Sequence, residues 1–261
     1  MKKSVVVTGV CGGLGREFCQ QLINKNYHVI GLDVRVEELK SLEQENFTGI
    51  HCNLLSKKNI EQAINEIIQR HGVPDWWINN AGIVTMDSFI NEKMKKFEDV
   101  MEVNFMSAIR MIKIILPLME NKGSGKIINI SSVAGIVSAP ILSSYCASKF
   151  AMVGLTESLQ EELKMRQSPV KIILVCPGFI QTELINLGSE AGFPISLKPF
   201  LTKPEVAVKK IIMGIEKNEN FIDPTLNGKV MSIANRFGPK ILKNMAAKLA
   251  IPDALKQKIK N

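Results

Sequence analysis

Short apolar runs alternate with longer segments of helical periodicity along most of the chain. The runs are rich in valine and isoleucine, as in "SVVVT" and "VKIILVC", which predicts strands buried on both faces. Strands that alternate with helices favour right-handed β-α-β units, so we predict an α/β fold with a parallel sheet. The predicted strands cover residues 4–8, 28–32, 49–53, 76–79, 126–131 and 170–176, and the predicted helices lie near 14–25, 57–70, 94–118, 144–165 and 204–217.

Composition places the chain among soluble globular proteins. Its 261 residues suit one large α/β domain or two small ones, and 46% of them are apolar against 22% charged. The beginning of the sequence lacks the apolar region of a signal peptide, and no apolar run approaches the roughly 18 residues that span a bilayer. The five cysteines form no C-x-x-C pair and the three histidines are scattered, which indicates reduced thiols, no metal site and a cytoplasmic protein.

Positive charge is concentrated at the end of the sequence. The net charge is +8, and from Lys229 onward eight Lys or Arg residues stand against one Asp. Residues 229–249 are predicted to form two short amphipathic helices divided at Gly238 and Pro239. Their apolar stripes either pack on the protein or make weak peripheral contact with an anionic membrane. A basic tail can also bind nucleic acid, but we find no binding motif or aromatic platform and expect no nucleic-acid partner.

A glycine-rich loop follows the first predicted strand. In "TGVCGGLGRE", Gly9, Gly13 and Gly15 let the backbone turn tightly and approach a pyrophosphate at the N-terminus of the next helix. Asp33 ends the second strand, where a carboxylate can accept hydrogen bonds from a ribose diol and would repel a 2′-phosphate. We therefore expect NAD rather than NADP, although Arg35 lies close enough in sequence to reach a 2′-phosphate.

Tyr145 and Lys149, in "SYCASKF", are four residues apart and share one face of a predicted helix. Such a pair can also be an ordinary surface contact. Tyrosine is a poor base at neutral pH because its reference pKa is about 10, and a nearby cation favours the phenolate. The pair is thus a candidate general base together with a cation that lowers its pKa.

Five motifs in register carry a family resemblance. T-G-x-x-x-G-x-G is followed by "NNAG", "NISS", Y-x-x-x-K and "PG" in that order, over about residues 4–182. This chain resembles the short-chain dehydrogenases/reductases. The resemblance implies a nicotinamide-dependent oxidoreductase with a Rossmann-like, doubly wound sheet of about seven strands in the order 3-2-1-4-5-6-7.

The family's functional positions can be matched to this sequence one by one. The resemblance implies a catalytic set of Asn104, Ser132, Tyr145 and Lys149. It implies that the cofactor is bound by Gly9, Gly13, Leu14, Gly15, Asp33, Asn53, Leu54, Asn80, Ala81, Gly82, Tyr145, Lys149, Pro177, Gly178, Ile180 and Thr182. At Asn53 the family usually has aspartate; the amide oxygen remains an acceptor for the adenine amino group. Ser131, beside Ser132, is rejected as the catalytic serine.

The resemblance implies a mechanism for a secondary alcohol or ketone. Tyr145 takes the hydroxyl proton, Ser132 stabilises the oxyanion, and Lys149 holds the nicotinamide ribose. Lys149 and the positive ring of oxidised nicotinamide together would lower the pKa of Tyr145. Asn104 would hold a water for proton relay, or else be a satisfied amide in a helix. An NADPH-dependent carbonyl reductase and a non-catalytic NAD-binding regulatory protein are the alternatives.

The remainder of the chain is expected to bind the substrate. We divide the single domain, residues 1–261, into a dinucleotide-binding and catalytic core at 1–182, a substrate loop at 183–203, and C-terminal helices with the basic tail at 204–261. The loop is apolar, which favours an apolar substrate. Family subunits commonly pair through the helices after strands 4 and 5, so we expect a homo-oligomer, dimer or tetramer.

Overall fold

The computed structural model describes residues 2–181 and 201–237, the last six of these (232–237) as backbone. Within these residues, seven parallel strands form one sheet in the order β3-β2-β1-β4-β5-β6-β7, which confirms the predicted Rossmann-like fold. The strands are β1 Ser4–Thr8, β2 His28–Asp33, β3 Phe47–His51, β4 Trp76–Asn79, β5 Gly125–Ile130, β6 Val170–Val175 and β7 Phe221–Ile222.

Helices cover both faces of the sheet. They are α1 Gly13–Asn24, α2 Val36–Leu42, α3 Lys57–His71, α4 Met94–Met101, α5 Ser107–Lys122, α6 Ser143–Met165, α7 Pro204–Glu216 and α8 Leu226–Phe237. On one face, buried residues of α1 and α7 pack against β1, β2, β4, β5 and β6. On the other face, buried residues of α3, α5 and α6 form a second core. Because both faces are covered, the strands are apolar along their whole length, as their sequences predict.

The structure differs at three places from the elements that the apolar pattern predicts. The predicted helix over 94–118 is divided into α4 and α5 by a π-helical turn, Glu102–Met106, and α5 continues through Pro117 to Lys122. The short helix α2 was not predicted, since it buries Leu39 alone and so has little apolar periodicity. Strand β7 has two residues and was expected only from the family resemblance.

The order in which the parallel strands are added to the sheet reverses at β1, which lies between β2 and β4. Val6 pairs with Ile30 on one side and with Trp77 on the other. In open parallel sheets, ligands bind at the carboxyl ends of the strands where the order reverses in this way. The loops after β1, β2, β4, β5 and β6, which contain most of the predicted site residues, all lie at that edge.

Two predictions lie wholly or partly outside the described residues. Thr182 and most of the substrate loop fall between 182 and 200, and most of the basic tail falls beyond residue 237. The predicted helix at the start of the tail is α8, which begins earlier than expected, at Leu226. Over 2–181 and 201–237, no helix combines the length and the apolar character needed to cross a bilayer.

Candidate active site

The glycine loop after β1 is held tightly against β4. Gly9 has φ +66°, in the region that favours glycine, and its N–H donates to the carbonyl of Leu32 at 2.7 Å. A Cβ at Gly9 would lie 2.9 Å from the Cα of Ala81. Glycine is therefore required here both by conformation and by the close approach of two backbones.

The same loop leads directly into α1. Gly15 is buried, and a Cβ at this position would lie 2.7 Å from the Cα of Val10. Helix α1 starts at Gly13, after Gly12, and no side chain caps its first turn. The free N–H groups of that turn and the positive end of the helix dipole suit a pyrophosphate, so the loop fits a dinucleotide. Leu14 packs against the core beneath it.

Asp33 lies at the carboxyl end of β2, beside this loop. Its Oδ2 accepts from the Cys11 N–H at 3.0 Å, and its Oδ1 accepts from the Arg35 N–H at 3.1 Å and from Arg35 Nε at 3.3 Å. The carboxylate is buried. A buried carboxylate with fixed orientation fits the predicted role as acceptor for a ribose diol.

Two charged residues that the sequence analysis missed lie next to Asp33. Glu38, in the first turn of α2, forms ion pairs with both Arg16 and Arg35. Arg16 Nε also donates to the carbonyl of Cys11 at 2.8 Å. Their proximity depends on α2, a helix with too little apolar periodicity to be predicted.

The predicted adenine contacts lie in the turn after β3. The Oδ1 of Asn53 accepts from the N–H of Leu55 at 3.0 Å, which leaves one acceptor site on that oxygen. Leu54 packs against the second core. The turn is tied to the ribose end of the site because Cys52 N–H donates to the Asp33 carbonyl at 2.9 Å.

Thr8 fixes the segment after β4 against the end of β1. Its buried Oγ1 accepts from the N–H groups of Asn80 and Ala81, both at 3.0 Å. Asn80 Nδ2 in turn donates to the Thr8 carbonyl at 2.9 Å. The next residue, Gly82, brings the backbone to the catalytic set: a Cβ there would lie 3.6 Å from Lys149 Nζ.

Ser132 and Tyr145 are brought together from different elements. Ser132 follows β5 and caps a short 3-10 turn, Val133–Gly135, by accepting from the Ala134 N–H at 3.1 Å. Its side chain lies close enough to the phenol of Tyr145, in the first turn of α6, to favour the phenolate and so act to lower the pKa of Tyr145. Ser131 is buried and donates to the Lys149 carbonyl at 2.9 Å, a structural contact.

Lys149 is almost fully buried behind Tyr145. Its Nζ donates to the Ile130 carbonyl at 2.9 Å and lies 5.6 Å from the centre of the Tyr145 ring. Burial lowers the pKa of Lys149 to about 8. An ammonium with a lowered pKa, beside a phenol and inside the protein, is typical of a catalytic site.

The predicted lowering of the Tyr145 pKa depends on oxidised nicotinamide as well as on Lys149, and it stays a prediction. Burial raises the pKa of Tyr145 to about 12, and the Ser132 side chain opposes that rise only in part. Desolvation of the phenolate therefore outweighs the effect of neighbouring groups. The spacing of Tyr145 and Lys149 indicates a nearby cation, whereas the burial that raises the pKa of Tyr145 cannot be read from that spacing.

Asn104 lies in the π-helical turn between α4 and α5 and is buried. Its Oδ1 accepts from the Ile83 N–H at 2.8 Å, and its Nδ2 donates to the Ile83 carbonyl at 2.9 Å and to Ser148 Oγ at 3.0 Å. The side chain thus makes the contacts of a satisfied amide, the alternative that the sequence analysis left open. π-Helical turns are frequent at functional sites.

The segment after β6 is clamped from two sides. The Pro177 carbonyl accepts from the Val133 N–H at 2.7 Å, and the Gly178 N–H donates to Thr225 Oγ1 at 2.8 Å. The Asn227 amide bonds both backbone groups of Phe179, accepting at 3.1 Å and donating at 3.3 Å. On the other side Ile180 forms a bridge with Thr202.

Neither Thr225 nor Asn227 was predicted from sequence. They lie 47 and 48 residues from their partners, and no periodicity connects such positions. The predicted residues Pro177, Gly178 and Ile180 do lie together beside the 3-10 turn, whereas Thr182 is outside the described residues.

Comparison with known proteins agrees with the site geometry. A family model described as short chain dehydrogenase matches residues 3–190. A 3-oxoacyl-(acyl-carrier-protein) reductase, FabG, of Staphylococcus epidermidis is 31% identical over 198 residues, 73% of this chain and 80% of that protein. An NADPH-dependent pterin aldehyde reductase of Arabidopsis thaliana is 32% identical over 190 residues (70% and 77%). Epidermal retinol dehydrogenase 2 of Homo sapiens is 32% identical over 226 residues (84% and 72%).

Solved structures share the fold. A short-chain dehydrogenase from Streptomyces avermitilis has a TM-score of 0.82 at 23% identity and covers 94% of this chain and 96% of its own. A short-chain dehydrogenase/reductase from Burkholderia phymatum in complex with NAD has a TM-score of 0.81 at 20% identity, covering 93% and 96%. The chain therefore belongs to the short-chain dehydrogenase/reductase family and is an NAD(P)-dependent oxidoreductase.

Proposed function

We propose that this protein is an NAD-linked dehydrogenase that interconverts a secondary alcohol and its ketone, with Tyr145 as the general acid/base. The observation that carries the proposal is the position of the Tyr145 ring, whose centre lies 5.6 Å from the Nζ of Lys149, a buried amine held by the Ile130 carbonyl at 2.9 Å. Three elements, β5, the 3-10 turn and α6, bring Ser132, Tyr145 and Lys149 together.

The residues around the glycine loop fit an NAD molecule. Gly9 and Gly15 leave no room for a side chain, and the uncapped start of α1 suits the pyrophosphate. Asp33 offers a buried carboxylate to the adenosine ribose, and Asn53 and Leu54 border the adenine. At the other end, Pro177, Gly178, Ile180 and Thr182 would hold the carboxamide, and Lys149 would bind the nicotinamide ribose.

Tyr145 moves the proton in both directions of the reaction. In oxidation the substrate hydroxyl donates its proton to the Tyr145 Oη while hydride leaves the carbinol carbon. In reduction the Tyr145 hydroxyl returns that proton to the carbonyl oxygen. Bound nicotinamide supplies the hydride acceptor or donor. Ser132 Oγ–H stabilises the charge that develops on the substrate oxygen.

The raised pKa of Tyr145 sets the conditions for each direction. With a pKa of about 12 the phenol is protonated at neutral pH, so Tyr145 begins in the form that ketone reduction needs. Alcohol oxidation requires the phenolate. The positive charge of oxidised nicotinamide and the Lys149 ammonium both favour that form, and each pKa unit regained corresponds to about 1.4 kcal/mol.

The proton that Tyr145 exchanges must reach solvent. We assign Asn104 a positioning role in the path of this proton. Its Oδ1 and the Nζ of Lys149 lie 3.5 and 3.6 Å from a Cβ placed on Gly82, so the two groups are close together. Both Nδ2 donors of Asn104 and one acceptor site of its Oδ1 are occupied by Ile83 and Ser148, so the side chain fixes the π-helical turn. A relay water would be held by the backbone of that turn and by Lys149.

The second candidate function is an NADPH-dependent carbonyl reductase. It is favoured by the protonated state of Tyr145 at neutral pH and by Arg16 and Arg35, two cations beside the ribose end of the site. One relative is named as an NADPH-dependent reductase. We favour NAD because Asp33 is buried at the position of the ribose diol, where its charge opposes a 2′-phosphate.

The substrate is proposed to be apolar. Residues 183–200 are rich in leucine, isoleucine and phenylalanine, and the segment follows directly after the carboxamide-binding residues. A relative whose name specifies retinol is compatible with such a substrate. Exposed Phe89 and Ile90, in the loop after β4, add apolar surface to the same edge of the sheet.

We further propose a cytoplasmic homo-oligomer, dimer or tetramer, that pairs through α4–α5 and α6. Phe150 on α6 and Met106 beside α5 are exposed, although Met152 of α6 is buried in the subunit itself. Weak peripheral contact of the tail with an anionic membrane is supported by α8, where Leu226 and Val230, one turn apart, are both exposed. The five cysteines are free and buried, as suits a reducing compartment.

A dehydrogenase screen tests the proposal. Purified protein is incubated with secondary alcohols of increasing apolar size and with NAD or NADP, and formation of the reduced cofactor is followed by its absorbance. We expect turnover with NAD and an apolar alcohol, with at least tenfold lower kcat/KM for NADP. Turnover with NADPH and ketones alone would establish the second candidate, and binding of NAD without turnover of any alcohol or ketone would indicate a regulatory protein.

A further inference from the structure

Four charged side chains meet at the carboxyl end of β2. Glu38 Oε2 pairs with Arg16 Nη2, and Glu38 Oε1 pairs with Arg35 Nη1 at 3.2 Å. Arg35 Nε is also 3.3 Å from Asp33 Oδ1. One carboxylate, Glu38, thus joins two guanidinium groups that come from different helix starts, α1 and α2.

The two arginines border the proposed adenosine end of the cofactor site. Arg35 Nη2 is 3.9 Å from the position that a Cβ on Gly12 would occupy, and Arg16 Nε donates to the Cys11 carbonyl within the glycine loop. The side chains of Arg16 and Arg35 are 45% and 38% exposed, so a ligand can reach both from solvent.

Arginine forks bind carboxylates and phosphates in the same geometry. A 2′-phosphate on the adenosine ribose carries about −1.5 to −2 charges near neutral pH and would compete for the same N–H groups. In this protein those groups are already occupied by Glu38, and Asp33 adds a second negative charge on the same side. The four side chains together are close to neutral.

We propose that Glu38 is a specificity-determining residue, which excludes NADP by holding Arg16 and Arg35 in ion pairs at the place where a 2′-phosphate would lie. This inference rests on the proposed function, because it places the adenosine ribose beside Asp33. Without the Glu38 charge, the two guanidinium groups can donate to a 2′-phosphate. The preference for NAD over NADP then becomes smaller or reverses.

Two adenosine ligands test this without any catalysis. ADP and 2′,5′-ADP differ in where the second phosphate group is attached, and both can be titrated calorimetrically into the full-length protein. In Glu38→Gln, which keeps the side chain nearly isosteric, we expect the ratio of the Kd for ADP to the Kd for 2′,5′-ADP to rise about tenfold or more. This corresponds to about 1.4 kcal/mol, close to the lower end of the range for hydrogen bonds to charged groups.

Glu37→Gln is the matched control. Glu37 is the adjacent residue of α2, its side chain is 84% exposed, and its ion pair is with Lys40. The substitution removes the same charge from the same helix without touching either arginine, so we expect the ratio to change by less than twofold. A second variant, Glu38→Gln with Arg35→Ala, is expected to lose most of the gain.

The outcomes separate the two levels of the proposal. If wild type binds ADP and Glu38→Gln shifts the ratio no more than Glu37→Gln does, the role of Glu38 is refuted while the NAD site stands. An equal rise in both variants would show a general charge effect and would also refute it. If wild type binds neither ligand, the proposed cofactor site itself is wrong. Circular dichroism of each variant confirms that the fold is retained.

Discussion

The outer charged cluster at the adenosine end of the proposed cofactor site satisfies its polar groups differently from the nicotinamide end, although Asp33 beside that cluster is itself buried. At the adenosine end, Arg16, Arg35 and Glu38 are 38–45% exposed as side chains and neutralise one another as ion pairs. At the nicotinamide end, Asn104 is 2% and Lys149 4% exposed, and each is held by hydrogen bonds to backbone groups.

This difference indicates that the two ends have different functions. Half-exposed ion pairs contribute little to stability, so their partners can be exchanged for the charges of a ligand. Buried polar groups must be hydrogen-bonded, which fixes their positions, and their pKa values shift because the charged form is desolvated. Selection between cofactors therefore suits the first end, and proton transfer suits the second.

The largest expected effect comes from Lys149→Met. The substitution removes the cation that favours the Tyr145 phenolate and the donor that binds the nicotinamide ribose, so we expect turnover to fall about 10³-fold or more. The Ile130 carbonyl also loses its donor, which costs about 1–3 kcal/mol of unfolding free energy. Steady-state kinetics and urea unfolding measure the two effects.

Lys113→Met, at an exposed position of α5, is the control, and we expect little change in its turnover or its unfolding free energy. Similar losses in both variants would contradict the special role of the buried Lys149.

The lowered pKa of Lys149 predicts a pH dependence of stability. Its pKa is about 8 in the folded protein and 10.5 by the usual value, so between these values the unfolded chain holds a proton that the folded chain has lost. Stability contributed by this group therefore rises with pH across that window, by up to about 1.4 kcal/mol per pH unit. Urea unfolding of wild type and Lys149→Met at pH 8 and pH 10 measures the part of this pH dependence that Lys149 contributes. A difference between the two proteins that is independent of pH would show that Lys149 is not desolvated.

Stability should also distinguish the two ends directly. Asn104→Ala leaves the N–H and carbonyl of Ile83 without their side-chain partner, and we expect a loss of about 1–3 kcal/mol. Glu38→Gln breaks two half-exposed ion pairs, and we expect a change below about 1 kcal/mol. Urea unfolding of both variants in one buffer measures the contrast. The reverse order would mean that the charged cluster is the structural element and that the description of the two ends is wrong.

A smaller effect is expected at Asn227, whose amide holds both backbone groups of Phe179. Asn227→Ala should weaken binding of NAD roughly 3- to 10-fold, the loss of about one net hydrogen bond, because the carboxamide segment is less well positioned. Binding of ADP, which reaches only the adenosine end, should stay the same. Calorimetric titration of both ligands checks this; an equal loss for ADP and NAD would indicate a general loss of structure.

Sequence and structure agree where the chemistry is local. The glycine loop, the i to i+4 spacing of Tyr145 and Lys149, and strand ends such as Asp33 are short-range patterns, and the fold places them at one edge of the sheet. Glu38 was missed because α2 buries only one side chain, and Asn227 because its partner is 48 residues away. The effect of burial, which raises the pKa of Tyr145, could not be predicted from the sequence because burial is a property of the whole fold.

Tyr145→Phe tests the central claim most directly, because it removes one oxygen and keeps the ring. With NAD and the best alcohol from the screen, single-turnover formation of NADH is followed by absorbance in wild type and variant. We expect the rate to fall about 10²- to 10⁴-fold, the usual contribution of a general base, with the Kd for NAD changed by less than about threefold. A variant that forms NADH at the wild-type rate would contradict the assignment of Tyr145 as the acid/base, and with it the proposed mechanism.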